Sequence, residues 1–282
     1  MASEVRLAAG ELEATVLPDL GMVVSSLRHR GDELLGQRGG PQAYAERGST
    51  FGIPILHPWA NRLRDFEYTF AGTRVVIDPR SPVLHIDGDT GLAIHGVLGA
   101  SPYWRAAQTA DGTVTATLDF AAIPEYLAVF PFPHTLLYEL TLTAGGLRAA
   151  LTLTATGSVP VPISFGFHPY LTLPGTDRAQ WQIAADVEGG AIDGPLGGRT
   201  FDTPFGTLDG DRPGFTVADT ARAVTVTFLE GYDVAQIYAP AGAQFICFEP
   251  MTAPVDALRT GERLRSVAPG NSFTAQFEIT VR

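Results

Sequence analysis

Two residues capable of acid–base chemistry lie within apolar sequence that would shift their proton affinity. Glu249 ends the apolar run of residues 245–248, and Pro250 follows it. Because a buried unpaired carboxylate is costly, Glu249 is either paired or catalytic, and a raised pKa would suit a general base. His168 lies in the apolar stretch of residues 164–171, where burial would lower its pKa toward the range of an acid–base catalyst. The alternative for His168 is a buried ring bonded to a backbone carbonyl.

A second polar group closes the apolar segment of residues 51–63. Asn61 and Arg62 end this segment, and Asn61 is one of only two asparagines in the chain. The planar guanidinium of Arg62 suits adjacent hydroxyl groups, and Trp59 offers an apolar face for a sugar ring. The alternatives are a surface Arg paired with an acid and a Trp in the core.

Further candidates are a histidine and three aspartates. His95 precedes Gly96, where it is either a site residue or a hydrogen-bonded histidine in a turn. Residues 189–213 are rich in Gly, Asp and Pro, which predicts a long loop. Asp202, Asp209 and Asp211 in this segment could each bind a hydroxyl group, or could belong to a solvated loop.

Composition excludes several classes of chemistry. All nineteen basic residues are arginine, so lysine Schiff bases and a P-loop lysine are impossible, and no metalloprotease or serine hydrolase motif occurs. A net charge of −11 without basic runs argues against nucleic acid binding. Cys247 is the only cysteine, which excludes an internal disulfide and a cysteine zinc site and fits a reducing compartment. No spacing demands a metal.

Nothing in the sequence predicts export or membrane insertion. The chain begins with Met-Ala-Ser-Glu and enters amphipathic sequence without a charged start followed by an apolar stretch of signal-peptide length. No apolar run approaches the ~20 residues that span a bilayer. We therefore expect a cytoplasmic protein with no membrane partner, either a monomer or a homodimer.

The elements that must position these residues are strands. Apolar and polar residues alternate in segments 113–120, 136–144, 149–155, 224–228 and 273–281, as in half-buried strands. Gly-containing turns at residues 111–112, 145–146 and 71–72 join neighbouring strands. Only residues 41–47 and 255–259 suggest short helices. The sequence predicts an all-β protein, a large antiparallel β-sandwich that forms one domain over residues 1–282.

Four short motifs occur in an order that resembles a known family. Ala-Asn-Arg at 60–62, His-Gly at 95–96, His-Pro-Tyr at 168–170 and Phe-Glu-Pro at 248–250 look like the aldose 1-epimerase (mutarotase) family. The resemblance covers about residues 52–256. It implies the galactose mutarotase-like supersandwich fold, which agrees with the strand pattern.

The resemblance also implies an activity: interconversion of the α and β anomers of a free aldohexose, such as glucose or galactose, without a cofactor. By analogy Glu249 is the general base for the anomeric hydroxyl and His168 the general acid for the ring oxygen. The expected substrate-binding residues are Trp59, Asn61, Arg62, His95, Tyr170 and Asp209. Asp211 is the alternative to Asp209.

Two departures from the family pattern leave other functions open. Val97 stands where many mutarotases carry a second glycine, and residues 52–59 are similar to those of hexose-6-phosphate 1-epimerases. Such an enzyme should place additional arginines, for instance Arg64 or Arg105, around a phosphate, although the net charge disfavours a dianion. The third possibility is a sugar-binding β-sandwich without catalysis, which would have no need for the His168 and Glu249 pair.

Overall fold

Antiparallel strands make up most of the regular structure. The computed structural model describes residues 3–187, 192–205, 208 and 210–282, apart from the side chains of residues 108 and 109. In chain order the strands are β1 (Val5–Ala9), β2 (Leu12–Leu17), β3 (Val23–His29), β4 (Asp32–Glu33), β5 (Ile55–Leu56), β6 (Glu67–Phe70), β7 (Thr73–Val76), β8 (Arg105–Ala110), β9 (Thr113–Asp119), β10 (His134–Thr143), β11 (Gly146–Ala155), β12 (Val161–Ile163), β13 (Gly166–Phe167), β14 (Tyr170–Leu171), β15 (Gln182–Ala185), β16 (Gly194–Pro195), β17 (Phe201–Phe205), β18 (Gly214–Ala218), β19 (Ala223–Glu230), β20 (Val234–Ala239), β21 (Ile246–Met251), β22 (Arg265–Val267) and β23 (Ser272–Val281). The α-helices are α1 (Gly40–Arg47), α2 (Pro124–Leu127) and α3 (Ala257–Thr260).

Two large sheets form the sandwich. The first has nine strands in the order β16-β15-β18-β19-β23-β11-β10-β9-β8. The second has the order β17-β20-β21-β13-β5, and β14 also pairs with β21. Aromatic side chains join the sheets: the ring of Phe167 lies 5.0 Å from that of Phe277 and 5.6 Å from that of Tyr138. A further sheet of β1 to β4 and the two-stranded pairs β6-β7 and β12-β22 complete the pairing.

The predicted strands and helices are confirmed. Each alternating segment falls in a strand, namely β9, β10, β11, β19 and β23, and the turns at residues 111–112, 145–146 and 71–72 connect strands. Along β10 buried residues alternate with more exposed ones, because one face of the nine-stranded sheet packs on the core. The two predicted helices correspond to α1 and α3.

The predicted long loop is partly wrong. Within residues 189–213, the short strand β16 pairs with β15, and β17 pairs along its whole length with β20. The strand β17 lies at the edge of its sheet, where Pro204 leaves no unpaired donor in the interior. The exposed residues and the proline of β17 are typical of a loop, and for this reason the strand was not predicted from the sequence. Residues 189–191, 206, 207 and 209 lie outside the described residues.

No helix in the described part of the chain has the length and apolar character needed to cross a membrane.

Candidate active site

A cavity of about 320 Å³ opens beside the second sheet and gathers most of the predicted site residues. The predicted residues that line it are Asn61, Arg62, His95, His168, Tyr170 and Glu249. They come from four separate parts of the chain, so the strand pairing of the sandwich brings them together. Its volume lies near the lower end of the roughly 300–1,000 Å³ typical of ligand pockets, which suits a small ligand.

Glu249 and His168 form a buried contact at the cavity wall. Glu249 lies on β21, and His168 lies between β13 and β14, which both pair with this strand. The Nε2 atom of His168 is 3.3 Å from Oε1 of Glu249, and the two residues are only 4% and 1% exposed. The second carboxyl oxygen of Glu249 receives no hydrogen bond from the described residues. The pair therefore combines an acid and a base that water barely reaches.

The surroundings shift the pKa values of both groups away from their charged forms. Burial, followed by the nearby charge of Asp202, raises the pKa of Glu249 well above its usual range, while Arg62 opposes this shift. Burial, then His95 and Arg38, lowers the pKa of His168 well below its usual range. These are the causes expected for ionisable groups in a desolvated cavity.

Tyr170 packs on His168 and is itself held by hydrogen bonds. Its ring stacks on the imidazole with a centroid distance of 4.4 Å and an angle of 12°. The Tyr170 hydroxyl accepts a hydrogen bond from Arg38 at 2.8 Å and lies 2.6 Å from the hydroxyl of Thr50. Tyr170 thus fixes the plane of the His168 ring.

Asn61 and His95 both have left-handed backbone conformations, with φ values of 59° and 64°. The backbone N–H of His95 donates to the carbonyl oxygen of Asn61 at 2.9 Å, so the two turns support each other. Asn and His tolerate this conformation better than most residues. Gly96 also has a positive φ, and a Cβ there would lie 2.1 Å from the carbonyl oxygen of His57. This close approach explains the His-Gly dipeptide.

Arg62 is held by an acid that no motif predicted. Its Nε donates to Oδ2 of Asp87 at 2.7 Å, and the Arg62 side chain is 30% exposed. Hydrogen bonds from Arg62 and Thr90 are the main causes that lower the pKa of Asp87 to about 2. Asp87 therefore remains a carboxylate and orients the guanidinium at the edge of the cavity.

One predicted sugar contact is wrong, and another cannot be placed. Trp59 is 1% exposed and belongs to the hydrophobic core, so its side chain is a core residue and no platform for a ring. Apolar surroundings are common to core and platform tryptophans, and the sequence could not separate them. Asp211 lines a different cavity of about 220 Å³ beside Tyr232, and Asp209 lies outside the described residues.

Other cavity residues escaped the sequence argument or were only weakly indicated. Asp202 lines the cavity from the edge strand β17, although it was only one of three aspartates considered. Arg38, Tyr238 and His85 also line it, and no motif marks them. Within the described residues no cluster of three or more His, Cys, Asp or Glu side chains is placed to hold a metal ion.

The fold agrees with the comparison to known proteins. The chain belongs to the aldose 1-epimerase family, whose sequence model matches residues 3–280. This match confirms the resemblance.

Individual relatives are distant. The uncharacterised protein YihR of Escherichia coli is 25% identical over 301 residues, which cover 98% of this chain and 92% of YihR. The crystal structure of Slr1438 from Synechocystis has a TM-score of 0.81 at 23% identity and covers 100% of this chain and 96% of that one. A galactose mutarotase-like protein from Clostridium acetobutylicum also reaches 0.81, at 18% identity, with coverage of 100% and 95%. These structures confirm the galactose mutarotase-like fold.

Proposed function

We propose that this protein is an aldose 1-epimerase that interconverts the α and β anomers of a free aldohexose, such as glucose or galactose. The observation that carries the proposal is the contact of 3.3 Å between His168 and Glu249 at the wall of the cavity. A sugar-binding module without catalysis would have no use for a desolvated acid and base at one point.

The chemistry requires one proton to leave the sugar and another to reach it. Glu249 takes the proton of the anomeric hydroxyl, and His168 delivers a proton to the ring oxygen as the bond between C1 and this oxygen breaks. Both oxygens are bonded to C1, so the acid and the base must converge on a small region, as His168 and Glu249 do. After rotation about the C1–C2 bond, the ring recloses on the other face and the two residues reverse their roles.

The pKa shifts support a pair that shares one proton. Burial raises the pKa of Glu249 and lowers that of His168, so a form with exactly one proton on the pair persists over a wide pH range. The proton can lie on either residue across the 3.3 Å contact. In ring opening Glu249 gains one proton from the sugar and His168 gives one to the sugar. The total charge of the pair is therefore unchanged, and no proton needs to be exchanged with solvent.

The remaining cavity residues are suited to binding hydroxyl groups. Arg62 is oriented by Asp87 and presents planar donors, while Asn61 and His95 lie on the adjoining left-handed turns. Asp202 is also suited to the role predicted for Asp209, because it lines the cavity and a carboxylate can accept from a distal hydroxyl.

A phosphorylated hexose is the second candidate substrate. Arg38 lines the cavity, and its only hydrogen-bond acceptors in the described part of the chain are Thr50 and the Tyr170 hydroxyl. A cation without a carboxylate partner could bind a phosphate. Of the arginines predicted for this role, Arg105 lines a different cavity of about 620 Å³, and Arg64 lines an adjoining one of about 370 Å³.

An anomerisation assay tests the proposal. Polarimetry of fresh α-D-glucose, α-D-galactose and α-D-xylose should show faster approach to equilibrium with the enzyme than without it. For glucose 6-phosphate, NMR exchange spectroscopy measures the rate of anomer exchange with and without the enzyme. If Arg38 binds a phosphate, the enzyme should accelerate this exchange as well. Uncatalysed rates for every free aldose would contradict the leading proposal, and acceleration confined to the 6-phosphate would establish the second candidate.

A further inference from the structure

Gln236 lies directly across from Glu249 in the second sheet. The two residues are register partners on the antiparallel strands β20 and β21, so their side chains leave the same face of the sheet. They are 2% and 1% exposed. Gln236 does not line the cavity, whereas Glu249 does. Gln236 is thus a buried polar neighbour of the proposed base without access to a bound sugar.

The amide of Gln236 is anchored at its donor end. Its Nε2 donates to Oδ1 of Asp202 at 2.6 Å. An amide donates at nitrogen and accepts at oxygen, so this bond turns the carbonyl oxygen away from Asp202. That oxygen and Oε2 of Glu249 are both buried, and neither receives a hydrogen bond from the described residues. Two acceptors on neighbouring side chains therefore lack a donor.

We propose that Gln236 is a positioning residue for Glu249, because its amide, anchored by Asp202, directs its carbonyl oxygen to the Glu249 carboxyl group and so favours the protonated carboxyl. A proton on Oε2 of Glu249 supplies the missing donor and satisfies both atoms with one hydrogen bond. The N–H end of the amide faces Asp202 and its carbonyl oxygen can only accept, so a hydrogen bond between Gln236 and Glu249 needs a proton on the Glu249 carboxyl.

This arrangement extends into a chain of hydrogen bonds. In the proposed arrangement, Oε2–H of Glu249 donates to the carbonyl oxygen of Gln236, and Gln236 donates to Asp202. On the other side of the carboxyl group, Nε2 of His168 lies 3.3 Å from Oε1 of Glu249. The pKa of Glu249 is raised, first by burial and then by Asp202, and this shift also favours the protonated carboxyl group. The chain leaves the His168 and Glu249 pair with its single proton on Glu249 when no sugar is bound.

The consequence is a wider pH range for catalysis. This inference rests on the proposed function, in which the pair must carry one proton to act as acid and base. The pair loses activity at high pH when that last proton leaves, and the proton leaves from Glu249. Gln236 therefore delays the alkaline loss of kcat/KM, which reports the free enzyme.

The substitution Gln236→Met tests the proposal, because it keeps the side-chain length and removes the amide. Isotope-edited infrared spectra of the sugar-free protein should show the protonated carboxyl of Glu249, assigned by its loss in Glu249→Gln. We expect its titration midpoint to fall by about one pH unit, the size of one hydrogen bond. The alkaline limb of kcat/KM should fall by the same amount, with KM at the plateau unchanged. An unchanged midpoint in folded Gln236→Met would overturn the proposal.

A matched control exists on the first sheet. Gln276 and Glu230 are also cross-strand partners, and Gln276 Nε2 lies 3.4 Å from Oε2 of this exposed glutamate. Gln276→Met removes the same kind of amide far from the cavity, so the Glu249 midpoint should stay within about 0.2 pH units of its wild-type value. An equal shift in both variants would show a nonspecific effect and would overturn the assignment.

Asp202→Asn gives a second, independent test at an exposed position that is less sensitive to folding. It removes a negative charge and also releases the amide, which can then turn its donor end to Glu249, so the midpoint should fall. In the Gln236→Met background the same substitution should lower the midpoint by less. Additive shifts would contradict the anchoring of the amide. These titrations use the protein without sugar, so they stand apart from any failure of epimerase activity.

Discussion

Two pairs of neighbouring histidines lie in different parts of the molecule, and of the four rings only that of His95 is not fully buried. His57 and His134 lie in the core with their ring centroids 4.9 Å apart, and His95 and His168 lie at the cavity with theirs 5.4 Å apart. Three of the four are less than 5% exposed, and burial lowers the pKa of every one. Burial and a lowered pKa therefore do not identify a catalytic histidine.

The hydrogen bonds separate the pairs. In the core, Nδ1 of His134 donates to the carbonyl oxygen of Phe132 at 2.7 Å, so its Nε2 must accept from Nε2–H of His57 at 2.8 Å. Phe120 stacks on His134 at 4.3 Å. Aromatic side chains surround this pair, and of its four ring nitrogens only Nδ1 of His57 has no hydrogen-bond partner in the described residues.

At the cavity one histidine of the pair contacts a carboxyl group. Within the described residues Nδ1 of His95 and Nδ1 of His168 have no hydrogen-bond partner, and Nε2 of His168 contacts Glu249. A carboxyl partner at a cavity wall, rather than burial or a nitrogen without a partner, is what suits a histidine for proton transfer.

Glu249→Gln should have the largest effect on catalysis. It keeps the size of the side chain but removes the base, and we expect kcat to fall toward 10⁴-fold, the upper range for one acid–base group. Polarimetry measures the rate, and sugar titration by calorimetry should show binding largely retained. Full activity in this variant would remove Glu249 as the base.

His168→Asn should lower kcat by about 10³-fold, because the acid is lost while Glu249 remains. The dependence of kcat/KM on pH should also lose the limb that His168 contributes. The matched substitution His57→Asn in the core should lower stability and leave kcat of the folded fraction within about threefold. Equal losses of kcat in both variants would contradict the distinction between the pairs.

His134→Phe should destabilise the fold by about 2–6 kcal/mol without a comparable loss of kcat. It retains a ring but leaves the His57 donor and the Phe132 carbonyl oxygen buried without partners, each at a cost of roughly 1–3 kcal/mol. Urea unfolding measures the free energy, and the assay at saturating sugar measures kcat. A variant with wild-type stability would show that the core pair contributes nothing to folding.

The smallest expected effect is a pH slope. Burial lowers the pKa of His134 from 6.5 to about 4, so the unfolded chain binds a proton more readily than the folded protein. Its contribution to stability is fully present above pH 6.5 and is lost as the pH falls toward 4, by up to about 3 kcal/mol. His134→Phe should reduce the slope of unfolding free energy by up to about 1.4 kcal/mol per pH unit in this range. An identical slope in both proteins would contradict the buried neutral form of His134.

Much of the fold follows from local patterns, and the errors have local causes. Period-two alternation predicted β9, β10, β11, β19 and β23, because each packs one face on the core. The edge strand β17 was missed because exposed residues and a proline look like a loop. Trp59 was misplaced because a core tryptophan and a ligand platform have the same neighbours in sequence.

The candidate site was predictable where a polar residue interrupts apolar sequence. Asn61, Arg62, His95, His168 and Glu249 were named in this way and Tyr170 through the His-Pro-Tyr motif, and all six line the cavity. Arg38 and Gln236 were not, because the first lies in a glycine-rich segment and the second in an ordinary strand. Arg38 matters through its contact with Tyr170, and Gln236 through its place opposite Glu249, and both contacts arise only in the folded chain.

Residue types, alternation and short motifs were sufficient to specify an all-β chain, the family and the two residues proposed to move protons, because these depend on side-chain chemistry and nearest neighbours. Pairing between strands decided the rest. It set Gln236 opposite Glu249, brought Asp202 to the cavity and gave one histidine pair a place in the core and the other a carboxyl partner at the cavity. The hydrogen bonds of these side chains depend on which strands lie side by side. Only the folded chain therefore determines which buried group has a partner and which does not.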